Sequence, residues 1–246
     1  MSDKSLFVRI GDFFFKYRNV IFPVAIFANL LAIPPGNSYF GVKAYDIWID
    51  WIGVAVVCAG LALRGAIIGF AYIKRGGLDK KVHADELVTE GFFAAGRNPL
   101  YVGNMLIYTG IFLMQGGWPA LIGPLVFFAI YSAIIAAEEH FLRNKFGAAF
   151  DAYCATTPRW GIRLSVLRKE LPGMHYDWRR VVAKDYTTFA NAIFAMVLVS
   201  LMELVHHGTR AAVVDALPFF IGCFVAIGLA VLAIRLLKKR TDLLRT

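Results

Sequence analysis

Long apolar segments alternate with short polar ones along most of the 246-residue chain. Six of these segments have about the length that an α-helix needs to cross the hydrocarbon core of a bilayer, roughly 20 residues. The pattern predicts an all-α, polytopic integral membrane protein with about six transmembrane helices. The predicted spans lie near 20–34, 48–73, 99–115, 118–137, 187–206 and 212–236.

Proline and glycine mark where two of these spans end. The first span stops at Pro34-Pro35-Gly36, because proline cannot continue a helix without losing a hydrogen bond. The third and fourth spans are joined at Gly116-Gly117-Trp118-Pro119, a sequence typical of a tight reversal. We therefore expect spans three and four to form a tight helical hairpin.

Composition supports a membrane protein and argues against two other classes. Hydrophobic residues make up 59% of the chain and charged residues 17%, whereas soluble domains carry about 25% charged residues. The net charge of +9 comes from basic residues in short clusters beside apolar runs, so it does not indicate a nucleic-acid partner. The three cysteines, Cys58, Cys154 and Cys223, are scattered and have neither disulfide-framework nor metal-ligand spacing.

The distribution of basic residues predicts the orientation of the spans. Lysine and arginine cluster before span one, between spans two and three, between spans four and five, and after span six. Because cytoplasmic loops are enriched in these residues, both termini are expected in the cytoplasm. The same argument puts Arg97 and the Glu138-Glu139 pair at the cytoplasmic face. Among the basic residues of these clusters are Arg9, Lys16, Arg18, Lys74, Arg75, Lys80, Lys81, Arg168, Lys169, Arg179, Arg180, Lys238, Lys239, Arg240 and Arg245.

The third span carries a polar stripe. Arg97 precedes it, and Pro99 suits the first turn of a helix, where its missing N–H costs nothing. Tyr101, Asn104 and Tyr108 then follow at i, i+3 and i+7, on one helix face. Such a stripe either lines a cavity or consists of an interfacial aromatic and an interhelical hydrogen bond. We favour the cavity.

Charged residues inside or at the end of apolar segments indicate a function or a partner. Glu138 and Glu139 end the fourth span, and one of the two is expected to face inward. The alternative is a solvated helix end in which Glu139 pairs with Arg143 at i+4. Arg64 lies inside span two, where it either snorkels to the interface or reaches inward toward the acids.

Several short motifs occur in a recognisable order between residues 84 and 163, and they resemble those of membrane-embedded methyltransferases related to isoprenylcysteine carboxyl methyltransferase and the phospholipid N-methyltransferases. The sequence departs from the family pattern at Asn98, where histidine is usual, and at Phe92-Phe93, where Pro-Tyr is common. The motifs are Glu86-Leu87-Val88-Thr89-Glu90-Gly91, Arg97-Asn98-Pro99-Leu100-Tyr101-Val102-Gly103, Glu138-Glu139, Phe146-Gly147 with Phe150 and Tyr153, and Pro158-Arg159.

The resemblance implies an enzyme that uses S-adenosyl-L-methionine, binds it in a pocket at the cytosolic membrane face, and methylates a lipid, prenylated or otherwise lipophilic acceptor without a metal. It implies that Arg97 contacts the cofactor carboxylate and that Glu138 or Glu139 contacts its ribose or ammonium group. Arg159 and Arg163 match in position the arginines that the family places after the hairpin and would hold an anionic head group, and Asn98 takes the position of the family histidine. The implied cofactor-binding set is Arg97, Asn98, Pro99, Tyr101, Gly103, Asn104, Glu138 and Glu139.

The chain divides into three predicted parts: a lead-in with two helices over 1–83, a methyltransferase core over 84–165, and a basic linker with a helix pair over 166–246. The last part could close the lipid side of the pocket, form a homodimer surface or bind a partner. A bacterial protein of this kind would lie in the inner membrane and a eukaryotic one in the endoplasmic reticulum. Two other functions compete: an NADPH-dependent membrane reductase related to the sterol reductases, and a non-catalytic membrane scaffold.

Overall fold

The computed structural model describes residues 5–36, 43–70 and 86–240. Throughout these ranges the regular structure is helical, and no strand occurs in them. A short 3₁₀ turn, Leu171–Gly173, follows α7. The helices are α1 (Leu6–Ala32), α2 (Lys43–Phe70), α3 (Phe92–Ala95), α4 (Pro99–Gln115), α5 (Gly117–Phe146), α6 (Ala148–Thr156), α7 (Leu164–Glu170), α8 (Trp178–His207) and α9 (Arg210–Arg240).

Four helices in the described part of the chain are long and apolar enough to cross a membrane: Ile47–Phe70, Gly117–Phe146, Trp178–His207 and Arg210–Arg240. Each predicted span falls on a helix. The other two spans stay predictions as membrane crossings, because α1 carries several charges in its first half and α4 has 17 residues. Some predicted features lie outside the described ranges: residues 71–73 of span two, the basic residues between 74 and 81, Arg245, and the predicted boundary at 83/84.

Five helices, α1, α2, α5, α8 and α9, extend beyond their predicted spans, and α1 and α5 show the local reasons. Helix α1 begins at Leu6, where the Ser5 hydroxyl accepts a hydrogen bond from the Val8 N–H, so the charged lead-in and the first span form one helix. Helix α5 continues to Phe146 and stops at Gly147, whose φ of +52° is one that glycine adopts readily. Glu138 and Glu139 therefore lie within α5 and have about two helical turns after them.

Helix α4 lies at the centre of the fold and contacts α2, α5 and α8. Its approach to α2 is the closest, because glycines face each other across the interface. A Cβ atom added to Gly60 would lie 2.7 Å from the Gly103 carbonyl oxygen, and one added to Gly110 would lie 2.5 Å from the Gly53 carbonyl oxygen. Small residues at such contacts let the helix backbones touch, as in many membrane proteins.

Two apolar clusters hold the helices together. The first joins α1, α2, α4 and α8, and the second joins α1, α4 and α5 through aromatic rings. Large apolar side chains on α5 and α9, such as Leu125 and Phe219, are exposed, as lipid contact requires. The buried members are Leu30, Val57, Leu61, Ile107, Ile111, Met114, Ala192 and Val199 in the first cluster, and Phe15, Phe22, Phe112, Phe127, Tyr131 and Ile134 in the second.

Candidate active site

A cavity of about 1250 Å³ runs between α1, α4, α5 and α8. The end near the start of α4 is lined by charged and polar groups, including Arg97, Glu138 and Glu139. Toward the other end of α4 the walls become apolar, with Phe27 from α1 and Leu198 from α8. Ligand pockets usually measure roughly 300–1,000 Å³, so this cavity has room for a cofactor and part of a second molecule.

Glu139 is the centre of the charged end. Its side chain is 6% exposed and pairs with two guanidinium groups. Arg97 approaches Oε1 at 3.4 Å, and Arg159 donates from Nε at 3.1 Å and makes a second contact with Oε2. One buried carboxylate thus joins the loop before α4 to the loop after α6, and the cluster keeps one excess positive charge.

The same two loops are joined through their backbones. The Arg97 N–H donates to the Pro158 carbonyl at 2.9 Å, and the Arg163 N–H donates to the Ala95 carbonyl at 2.9 Å. The Asn98 side-chain amide adds a third link by donating to the Arg159 carbonyl at 3.0 Å. Residue 98 therefore helps to close the site even without an imidazole.

Glu138 lies in a second polar group, which joins α1, α4 and α5. The Tyr101 hydroxyl donates to Glu138 Oε1 at 2.7 Å and accepts from the Arg18 guanidinium at 2.9 Å. Arg18 comes from α1 and lies over the Phe15 ring, 4.3 Å from its centroid. A single hydroxyl therefore stands between a cation from α1 and a carboxylate from α5.

Arg64 reaches inward but not to Glu138 or Glu139. Its guanidinium donates to both carboxylate oxygens of Asp185 on α8, at 2.9 and 2.6 Å, and to the Asn104 side-chain oxygen. Asn104 in turn donates to the Tyr131 hydroxyl at 3.0 Å. The polar stripe predicted on span three thus forms hydrogen bonds to α1, α2 and α5 and also faces the cavity.

Most of the predicted site residues line the cavity, but three do not. Gly103 faces α2, where an added Cβ would lie 2.6 Å from Arg64 Cγ. Arg159 lies behind Glu139, and Arg163 donates to the Thr156 carbonyl outside the cavity. The lining residues among the predicted set are Arg97, Asn98, Pro99, Tyr101, Asn104, Glu138 and Glu139.

Three lining or supporting residues were not predicted as part of the site. Arg18 was counted only among the basic residues that set orientation, and Asp185 lies just before the predicted fifth span. Tyr153 belongs to a quoted motif but received no role. Its hydroxyl donates to the Phe93 carbonyl at 2.7 Å, and burial raises the pKa of this phenol above its ordinary value. The sequence feature that could have identified Asp185 is its position as an isolated acidic residue beside an apolar segment.

The donor set of the charged end fits S-adenosylmethionine. The Arg97 Nε is buried and has no hydrogen-bond partner among the described residues, so a donor is available for a carboxylate. A carboxylate has about four acceptor positions on its two oxygens, and Tyr101 takes one of them at Glu138 Oε1. Glu138 can therefore accept further hydrogen bonds. Within the described ranges, no three His, Cys, Asp or Glu side chains form a group that could hold a metal ion.

Comparison with known sequences identifies the family of the chain. The sequence profile of the phospholipid methyltransferase family matches residues 49–149, from α2 through the start of α6. The chain belongs to the phospholipid methyltransferase family. Together with its four long apolar helices, this makes it an integral membrane protein of a methyltransferase family.

Two curated relatives extend beyond the matched region. The nickel-cobalt-cadmium resistance protein NccN of Alcaligenes xylosoxydans xylosoxydans is 32% identical over 164 residues, which cover 65% of this chain and 72% of the relative. The cobalt-zinc-cadmium resistance protein CzcN of Cupriavidus metallidurans is 32% identical over 133 residues, which cover 52% of this chain and 59% of the relative. No solved structure matches the chain.

Proposed function

We propose that this member of the phospholipid methyltransferase family transfers a methyl group from S-adenosyl-L-methionine to a lipophilic acceptor that resides in the membrane. The observation that carries the proposal is the cavity itself, in which a charged end continues into an apolar arm between helices. A polar cofactor and a lipid chain need those two environments side by side. Alignment and exclusion of water would supply most of the catalysis.

The charged end would hold the cofactor. When bound, S-adenosylmethionine supplies an electrophilic methyl group on a positively charged sulfur. Arg97 would bind its carboxylate through Nε and remain oriented by Glu139. Glu138 would accept a hydrogen bond from the ribose or ammonium group of the cofactor, while the Tyr101 hydroxyl holds the Glu138 side chain in place. Pro99, Asn98 and Asn104 would line the rest of this end.

The apolar arm would hold the acceptor. Its walls come from α1, α4 and α8, so the C-terminal helix pair has a part in the site through α8. Arg159 pairs with Glu139 from outside the cavity. From there Arg159, together with Arg163, would contribute positive potential near an anionic head group. The exposed apolar surface of α9 is available for lipid or for a second copy of the chain.

The orientation follows from the positive-inside bias. With six crossings and both termini in the cytoplasm, the charged end of the cavity would open at the cytosolic face, where S-adenosylmethionine is available. This orientation is tested by the accessibility of single cysteines introduced at Ser2 and Thr246 in intact and permeabilised cells. Labelling of either position in intact cells would contradict it.

The test of the function is a calorimetric titration of purified protein in detergent with S-adenosylhomocysteine and, separately, with NADPH. We expect saturable binding of S-adenosylhomocysteine that is lost in Arg97→Ala and weakened at least tenfold in Glu138→Ala. Arg168→Ala is the matched control, since Arg168 is exposed on α7 and does not line the cavity. A response to NADPH alone would support a reductase, and silence of folded protein toward both ligands would support a scaffold.

A further inference from the structure

Arg18 differs from the other arginines around the cavity in its bonding. Arg64 is paired with Asp185, and Arg97 and Arg159 share Glu139. Within the described residues, Arg18 makes no ion pair and a single hydrogen bond, to the Tyr101 hydroxyl. A guanidinium has five N–H donors, so Arg18 brings unused donors to the cavity that it lines.

The position of Arg18 along α1 relates it to the apolar arm. Phe22 and Ile26 follow it at i+4 and i+8, on the same face of the helix, and both line the cavity. Phe27 lies on the same wall, and Leu198 of α8 lines the cavity as well. A chain lying in this arm would therefore end at the level of Arg18.

The surroundings of Arg18 favour an anionic ligand. Its ring contact with Phe15 holds the guanidinium in place, so little side-chain freedom remains to be lost on binding. Guanidinium groups form two parallel hydrogen bonds with carboxylates and phosphates, and these are among the strongest polar contacts in proteins. The Tyr101 hydroxyl accepts one N–H of Arg18 and donates to Glu138, and no direct hydrogen bond between Arg18 and Glu138 occupies the remaining N–H groups.

We infer that Arg18 binds the anionic head, a carboxylate or a phosphate, of an amphiphile whose apolar chain lies along Phe22, Ile26 and Leu198. This inference rests on the proposed function for the identity of the amphiphile as the methyl acceptor. It assigns the direct contact with the head group to α1, while Arg159 adds positive potential from its position beside Glu139. Arg18 thereby selects for acidic amphiphiles over neutral and cationic ones.

The experiment uses the full-length protein in phosphatidylcholine nanodiscs, as wild type, Arg18→Gln, Arg18→Lys and the matched control Lys16→Gln. Lys16 is an exposed cation on the same helix and does not line the cavity. Dodecanoate, dodecyl phosphate and dodecyltrimethylammonium are titrated while the unfolding temperature is followed. Each protein is also titrated with S-adenosylhomocysteine.

We expect dodecanoate or dodecyl phosphate to stabilise wild type and Lys16→Gln, and the preferred anion identifies the head group. Arg18→Gln should need about tenfold more of that anion, Arg18→Lys an intermediate amount, and all should respond equally to dodecyltrimethylammonium. The affinity for S-adenosylhomocysteine should be unchanged. Equal anion affinity in Arg18→Gln and wild type, or loss of S-adenosylhomocysteine binding in Arg18→Gln, would overturn the inference. Failure of wild type to bind S-adenosylhomocysteine would instead overturn the proposed function, while the anion titration still decides the role of Arg18.

Discussion

Arg64 on α2 and Asp185 on α8 form a buried, two-pronged ion pair, with Nε 2.9 Å from Oδ2 and the second nitrogen 2.6 Å from Oδ1. Their side chains are 6% and 0% exposed. The family profile ends at residue 149, so the pair joins the matched region to a helix beyond it. Because Arg64 also binds Asn104 and lines the cavity, the position of α8 is coupled directly to the candidate site.

Replacing Asp185 with alanine should destabilise the protein strongly. The substitution leaves the Arg64 guanidinium buried without its carboxylate, and such losses cost about 3–5 kcal/mol in known cases. The measurement is the free energy of unfolding in a mixed detergent–denaturant titration. A further variant, Arg64→Met with Asp185→Leu, removes both charges and should recover much of the loss.

The matched control is Asp151→Ala, which breaks the Arg143–Asp151 pair. That pair has a similar distance, 2.8 Å, but its side chains are 50% and 57% exposed. Exposed pairs contribute at most about 1 kcal/mol, so this variant should unfold nearly as wild type does. Equal losses in Asp185→Ala and Asp151→Ala would mean that burial does not set the strength of the α2–α8 contact.

A methyl group at Gly60 should separate α2 from α4. It would lie 2.7 Å from the Gly103 carbonyl oxygen, a backbone atom that cannot turn away. Overpacking of this kind costs typically about 1–3 kcal/mol, and the shift of α4 should also weaken binding of S-adenosylhomocysteine. Unfolding and cofactor titrations of Gly60→Ala check both effects.

Gly228→Ala is the control for this substitution. Gly228 lies in α9, where an added Cβ meets no atom within 4 Å. Alanine is the better helix former by about 1 kcal/mol, so this variant should be neutral or slightly stabilised. If both glycine variants behave alike, the close contact between α2 and α4 does not limit stability.

The helices could be predicted from the sequence because apolar length, proline and glycine act locally. The same local rules explain why α4 begins at Pro99 and why the break after it falls at Gly116. Span ends were less predictable. A helix can extend past its apolar part when charged residues find partners, as α5 does between Glu139 and Phe146.

The site was predictable in its charged residues but not in their pairing. Arg64 could snorkel or turn inward, and the choice depends on Asp185, a residue 121 positions away. Similarly, Glu139 pairs with Arg97 and Arg159 rather than with Arg143 at i+4. Such outcomes depend on which helices become neighbours, and hydrophobic periodicity carries no information about that choice.

Asn98 should contribute to cofactor binding through the link to the Arg159 carbonyl. Removing that hydrogen bond in Asn98→Ala costs about 0.5–1.5 kcal/mol, so the affinity for S-adenosylhomocysteine should fall roughly two- to tenfold. Asn98→His restores the family residue and a ring N–H donor, so it should bind within about twofold of wild type. The control is Asn144→Ala, which removes an exposed amide that contacts His140 on the same helix. Wild-type affinity in Asn98→Ala would show that the link is not needed.

Tyr153 should make the stability of the protein fall at alkaline pH. Burial raises the pKa of its phenol in the folded state, and in the unfolded chain a tyrosine loses its proton near pH 10. The folded state therefore holds the proton to higher pH. Its contribution to stability is complete below about pH 10 and is lost as the pH rises toward the folded-state value.

In Tyr153→Phe this loss is absent, so the free energy of unfolding should fall less steeply above about pH 10 than in wild type. Tryptophan fluorescence during denaturant unfolding at several pH values measures both slopes, and identical slopes would mean that the phenol is not held neutral by its surroundings. At neutral pH the same variant should lose about 1 kcal/mol, because the Phe93 carbonyl loses the hydroxyl that donates to it at 2.7 Å.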